Sequence, residues 1–185
     1  APLQALAQVA EAYDLWFHID GAFGAMAALT STYDHLLPII GKADSLAFDF
    51  HKWMYIPYEA ACVLVRRRDQ HIETFSEAPA YLVHQARGVS GGADWFGDYG
   101  LQLSRGFKAL KVWFALKVHG LDNFRASIQQ NMEQAQYLAK QVEAHPHMEL
   151  VAPVPMNIVC FRYVVDGMTD EQLNRLNNEI LLRIQ

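Results

Sequence analysis

Asp20 and Lys52 are the two residues whose types and spacing could do chemistry together. Lys52 sits near the end of Ser45-Leu46-Ala47-Phe48-Asp49-Phe50-His51-Lys52-Trp53, an apolar run that stops abruptly in a polar pair walled by aromatics. Runs of this length, bounded here by the turn-prone Gly41 and Pro57, read as buried strands. A lysine at such a strand end would be half-desolvated, and burial would lower its pKa and free the amine as a nucleophile. The plainer alternative is a surface lysine snorkelling past Trp53. Upstream, Leu15-Trp16-Phe17-His18-Ile19-Asp20-Gly21-Ala22 favours the chemical reading. It is a second short apolar run, and it ends in a carboxylate followed by two very small residues.

The two strand ends lie 32 residues apart with a helical segment between them. In an open parallel sheet both would face one crevice at the carboxyl edge, where ligands bind. An amine and a carboxylate facing one pocket suit pyridoxal phosphate. Lys52 would form the Schiff base with its aldehyde, and Asp20 would pair with the pyridinium nitrogen and keep it protonated. Gly21 and Ala22 would let a flat ring lie against the backbone. A metal site of His18, His51 and Asp20 is the competing use of these residues. It lacks the short spacing of a metal motif, and Lys52 would oppose a cation, so no metal is expected.

His18-Ile19-Asp20-Gly21-Ala22 and Phe50-His51-Lys52-Trp53 resemble the two signatures of the group II pyridoxal-phosphate-dependent amino-acid decarboxylases. That family includes the aromatic-amino-acid, histidine, glutamate and cysteine-sulfinate decarboxylases. The resemblance runs on through Pro79-Ala80-Tyr81-Leu82, Leu103-Ser104-Arg105, Ala109-Leu110-Lys111-Val112-Trp113-Phe114 and Val159-Cys160-Phe161-Arg162. Its texture is closest to the aromatic-L-amino-acid decarboxylases. It implies pyridoxal 5'-phosphate as cofactor, decarboxylation of an L-amino acid of the aromatic class to the amine and carbon dioxide, and a homodimer with its site at the subunit interface. By the same resemblance Lys52 carries the cofactor, with Asp20, Ala22 and His51 around it and His51 near its phosphate. Tyr81, 29 residues beyond Lys52, takes the position of a catalytic tyrosine on a mobile loop, where it would protonate the α-carbon. A packing role for Tyr81 is the alternative. His18 is expected to be buried beside Asp20 as its partner. Arg105 could serve structure, the subunit interface or an anion.

The implied fold is α/β, the large domain of a fold-type I pyridoxal-phosphate-dependent transferase (aspartate-aminotransferase-like). Residues 1–105 would form its C-terminal part, with the mobile loop at about 76–100. Residues 106–185 would supply connecting helices and the start of a small α/β C-terminal domain.

Composition agrees with an enzyme core. The chain is 52% apolar with a net charge of −5, and its basic cluster Arg66-Arg67-Arg68 reads as a solvated strand edge rather than a nucleic-acid surface. No apolar run approaches the ~20 residues of a membrane span. Cys62 and Cys160 both sit in apolar, strand-like runs and are expected to be reduced core residues of a cytoplasmic protein.

The elements follow from periodicity. Leu3, Leu6, Val9, Ala10 and Tyr13 predict a helix over residues 2–13. Residues 24–32 read as a loop rich in small residues and 34–40 as a short helix containing Pro38. Residues 59–66 form a near-continuous apolar run, expected to be a third strand buried on both faces. Residues 76–100 keep no period and read as a long loop. Phe107, Leu110, Phe114 and Val118 make a helical stripe that Gly120 ends, with Phe107, Trp113 and Phe114 expected in core and domain-interface packing. Phe124, Ile128, Ala135, Leu138 and Val142 mark a second helix, and residues 148–151 and 157–164 two strands. Thr169-Asp170-Glu171-Gln172 is a capping box that opens a helix running to Gln185. A chain that begins on a crossover helix and ends on an unstopped one reads as an internal piece of a longer enzyme. Two alternatives to a decarboxylase stand: another fold-type I enzyme, such as an aldehyde-forming relative or a cysteine-desulfurase-like lyase, and a non-catalytic relative.

Overall fold

The structure, a computed structural model, describes residues 1–76, 87–88, 91–92 and 95–185. The chain divides into two compact units, Ala1–Gly120 and Leu121–Gln185. In the first, helix α1 (Leu3–Ala12) leads to strand β1 (His18–Asp20). A 3₁₀ turn over Gly24–Leu29 follows, then a second over Asp34–Leu36 that runs into the short helix α2 (Leu37–Ile40). Pro38 is tolerated there because the first turn of a helix needs no partner for its N–H. Strand β2 (Ser45–Asp49), strand β3 (Ala61–Val65), helix α3 (Arg68–Phe75), a 3₁₀ turn at Phe96–Tyr99 and helix α4 (Lys108–His119) complete the unit.

The sheet order is β1-β2-β3. β1 and β2 are parallel, with His18 opposite Ser45 and Asp20 opposite Ala47. β3 runs antiparallel to β2, from Ser45 opposite Val65 to Asp49 opposite Ala61. The crossover between β1 and β2 buries Met26, Ala27 and Ala28, and the turn after β2 buries Trp53, Met54 and Ile56.

Several burial expectations are corrected here. Among the described residues β3 pairs with β2 alone and stands at the sheet edge, so its apolar run is not enclosed: Val63 and Leu64 are exposed. α1 turns its small residues Ala7 and Ala10 inward, which permits close approach, while Leu6, Val9 and Tyr13 face out. α4 buries Val112 and leaves Phe107, Trp113 and Phe114 exposed. Cys62 lies half-buried on β3, where burial pushes its thiol up, but Cys160 precedes a strand and is exposed. The segment before β1 is not strand, and Leu15 and Trp16 are exposed.

The second unit is built on helix α5 (Leu121–Ala144), which buries Phe124, Ile128, Met132, Ala135, Ala139 and Val142 along one face at helical spacing. Leu138, expected on that face, is exposed instead. Strands β4 (Met148–Leu150) and β5 (Phe161–Tyr163) pair antiparallel, and helix α6 (Asp170–Ile184) opens on the capping box of Thr169 and Gln172. Asn177 docks α6 on the sheet edge, because its amide accepts from the Tyr163 N–H and donates to the Tyr163 carbonyl, both at 2.8 Å. Gly120, between α4 and α5, has φ +72°, a left-handed turn that favours glycine. Among the described residues, no helix is long and apolar enough to cross a membrane.

Candidate active site

Parallel pairing carries on past the strand ends and brings two carboxylates to one edge. The Gly21 N–H donates to the Ala47 carbonyl at 2.8 Å, and the Asp49 N–H donates to the Ala22 carbonyl at 3.1 Å. Asp20 Oδ1 accepts from the Ala22 N–H at 3.0 Å, which fixes its carboxylate at the end of β1. Gly21 is required there by space: a Cβ would meet the Ala25 Cβ at 2.6 Å and the Ala47 carbonyl at 3.2 Å.

Beyond β2 the chain turns at once. The Phe50 and His51 N–H groups both reach the Ala60 carbonyl, at 2.9 and 3.2 Å, and the Ile56 N–H returns to the Phe50 carbonyl at 3.1 Å. Trp53 is buried and stacks on Phe23 at 4.7 Å with 13° between the rings, so the exit of β1 and the turn after β2 share one aromatic anchor. With Trp53 held inward, Lys52 faces outward.

His51 has its side chain buried and packs against the Tyr58 ring at 4.2 Å. Its Nδ1 lies 3.1 Å from the Ala60 N–H. The same Nδ1 lies 2.9 Å from the Ala60 carbonyl oxygen, so the Ala60 peptide group holds the ring from both its N–H and its C=O, while Nε2 faces Asp49 Oδ2 at 3.9 Å.

Lys52 departs from expectation. Its side chain is 42% exposed, and its Nζ lies 2.7 Å from Asp49 Oδ2. The Asp49 hydrogen bond, with the charges of Asp49, Asp20 and Tyr58, holds the ammonium above the usual lysine range; burial opposes this and is outweighed. The strand end leaves the amine partly exposed rather than stripped of water, because the turn points it away from the core. Asp49 escaped the sequence reading, although a carboxylate three residues before the lysine, at the end of the same strand, was the available signal.

His18 also departs from expectation. The alternation of β1 sends Ile19 to the core and leaves His18 and Asp20 exposed. The His18 ring bonds Ser45 Oγ at 2.7 Å, not Asp20, and Ser45 also accepts from the Trp16 indole at 2.8 Å. Arg105 is exposed and donates to the Gln102 carbonyl at 3.0 Å. Tyr81 lies outside the described residues. Of the residues singled out in the sequence, Asp20, Ala22, His51 and Lys52 come together at one sheet edge.

Residues 1–164 match the pyridoxal-dependent decarboxylase conserved domain. An aromatic-L-amino-acid decarboxylase from Bacillus atrophaeus is 37% identical over 98% of this chain and 38% of its own length. The solved structure of Oryza sativa TDC with PLP and tryptamine superposes with a TM-score of 0.89 at 26% identity, over 99% of this chain and 38% of that one. A Rhodiola rosea 4-hydroxyphenylacetaldehyde synthase structure superposes at 0.83 with 26% identity, over 99% of this chain and 36% of that one. The chain therefore spans under two fifths of the length of these relatives, and its α/β architecture is part of a fold-type I domain. Matched by the conserved domain over most of its length and by relatives along nearly all of it, this chain belongs to the pyridoxal-dependent decarboxylase family.

Proposed function

We propose that the protein carrying this chain is a carboxy-lyase that uses pyridoxal 5'-phosphate to decarboxylate an L-amino acid of the aromatic class to its amine. The parallel pairing of β1 with β2 carries the reading, since it brings a carboxylate and an amine to one sheet edge. The donor set fits the cofactor: an amine for the aldehyde, a carboxylate for the basic ring nitrogen, and the imidazole of His51 for a phosphate oxygen. Bound there, the cofactor supplies an electron sink for the electron pair left when the α-carboxylate departs as carbon dioxide.

Each residue of this chain then has one task. Lys52 supplies the nitrogen that bonds the aldehyde carbon. Asp20, anchored by Ala22, holds a proton on the ring nitrogen and acts electrostatically rather than as an acid or base. Tyr81 delivers a proton to the α-carbon. Residues 1–105 act as part of the cofactor domain and 106–185 as connecting helices and part of the small domain. The working form is a homodimer, and free Cys62 and Cys160 fit a cytoplasmic setting.

The second reading is an aldehyde-forming enzyme, favoured by the likeness to a 4-hydroxyphenylacetaldehyde synthase. One experiment separates the two. The full-length protein with cofactor is incubated with aromatic, acidic and basic amino acids while carbon dioxide, amine and aldehyde are quantified. Amine equal to carbon dioxide on aromatic substrates supports the proposal. Aldehyde in place of amine supports the second reading, and no carbon dioxide from any substrate refutes both.

A further inference from the structure

The ion pair at the end of β2 is partly shielded: Asp49 is 16% exposed and Lys52 42%, at 2.7 Å. The other groups facing the amine are Asp20 from β1 and Tyr58 from the segment beyond the turn. His51, from the turn itself, faces the same Asp49 oxygen at 3.9 Å. A protonated amine has no lone pair and cannot add to an aldehyde. We infer that Asp49 is a positioning residue for Lys52, whose carboxylate parks the amine at the strand end as an ammonium and yields it when the cofactor's aldehyde arrives. This rests on the reading of Lys52 as the cofactor lysine.

The step balances. The Lys52 ammonium gives one proton to solvent, and the neutral amine adds to the aldehyde carbon. The carbonyl oxygen leaves as water while the carbon–nitrogen double bond forms. Because Asp49 holds the ammonium above the usual lysine range, the neutral fraction, and with it the loading rate, should rise with pH and lag behind that of an ordinary lysine. Removing the carboxylate should shift the profile to lower pH. An exposed ion pair with no bearing on reactivity would leave the profile unmoved.

The test uses cofactor-stripped full-length protein, wild type and Asp49→Asn, with two probes across a pH series. Acetic anhydride labels neutral amines, and mass spectrometry reads the Lys52 peptide against those of exposed Lys42 and Lys140. Added pyridoxal phosphate is followed by the absorbance of its imine, and the attachment site is mapped after reduction. The expected result is that Asp49→Asn accelerates both acylation and loading at Lys52 at neutral pH by at least about threefold, with both onsets at lower pH. Superimposable profiles with attachment at Lys52 overturn the role of Asp49 alone. Attachment at another lysine overturns the premise as well. Should Asp49→Asn fail to fold, wild type still decides: Lys52 must begin to acylate at higher pH than Lys42 and Lys140, and an equal or earlier onset refutes the inference.

Discussion

Replacing Gly21 by alanine should damage the site without touching any reacting group. The added Cβ would stand 2.6 Å from the Ala25 Cβ and 3.2 Å from both the Ala47 carbonyl and Leu46 Cδ1. Carbon atoms rest at about 3.5–4.0 Å, so roughly 1 Å of space must be opened. Ala25 sits in a turn whose neighbours Met26, Ala27 and Ala28 are buried, and Ala47 is backbone of β2, so neither yields cheaply. Overpacking of this kind costs about 1–3 kcal/mol, a fall of roughly 2–12 °C in Tm for a domain of about 150–250 residues. The strain enters between Asp20 and Ala22, where the Gly21 N–H bonds Ala47 at 2.8 Å, so the Asp20 carboxylate should tilt as well. Thermal denaturation, cofactor content and turnover of full-length Gly21→Ala would be compared with Gly106→Ala, where a Cβ meets nothing within 4 Å. A Gly21→Ala protein as stable and active as Gly106→Ala would refute the packing argument.

Other outcomes follow from the same geometry. Asp20→Asn keeps shape but loses the charge that would hold the ring proton; a charge-assisted hydrogen bond in a dry site is worth roughly 2–4 kcal/mol, so turnover should fall about 30-fold to 1,000-fold while cofactor content falls less. Tyr81→Phe should leave folding and cofactor content intact but divert product from amine to aldehyde, with dissolved dioxygen as the oxidant reduced to hydrogen peroxide and the nitrogen released as ammonia; an unchanged amine yield at an unchanged rate would remove Tyr81 from the chemistry. Glu59, 2.6 Å from Lys108 at the start of α4, has its carboxyl held below the usual range by that ammonium. A depressed carboxyl stabilises above its ordinary pKa and loses that contribution as pH falls through the folded value. Wild type should therefore exceed Glu59→Gln in stability by a small margin at pH 7 and meet it in acid, and a margin that widened in acid would contradict the pairing.

How much of this was legible in the sequence depended on whether the cause was local. Thr169 and Gln172 announced their helix because a capping box is complete within four residues, and Gly120 marked a boundary because a left-handed turn is a local demand. Asp20 and Lys52 could be paired because a short apolar run ending in a polar residue reads as a strand end, and the small residues and helix between fit a parallel crossover. Environment was less legible. The state of Lys52 depends on which way a turn points it and on a carboxylate at 2.7 Å. The exposure of Val63, Leu64 and Trp113 depends on what packs against β3 and α4, which periodicity does not record. His18 was assigned to Asp20 by closeness in sequence, whereas its partner Ser45 lies on the neighbouring strand.

The central claim is that Lys52 carries the cofactor, and borohydride tests it most directly. Reduction of the full-length holoenzyme fixes the pyridoxyl group to the lysine that holds it, and peptide mapping then reads the position. The account predicts the label on Lys52, within the peptide that contains His51 and Trp53. A label on Lys42, Lys108 or Lys111 would contradict it.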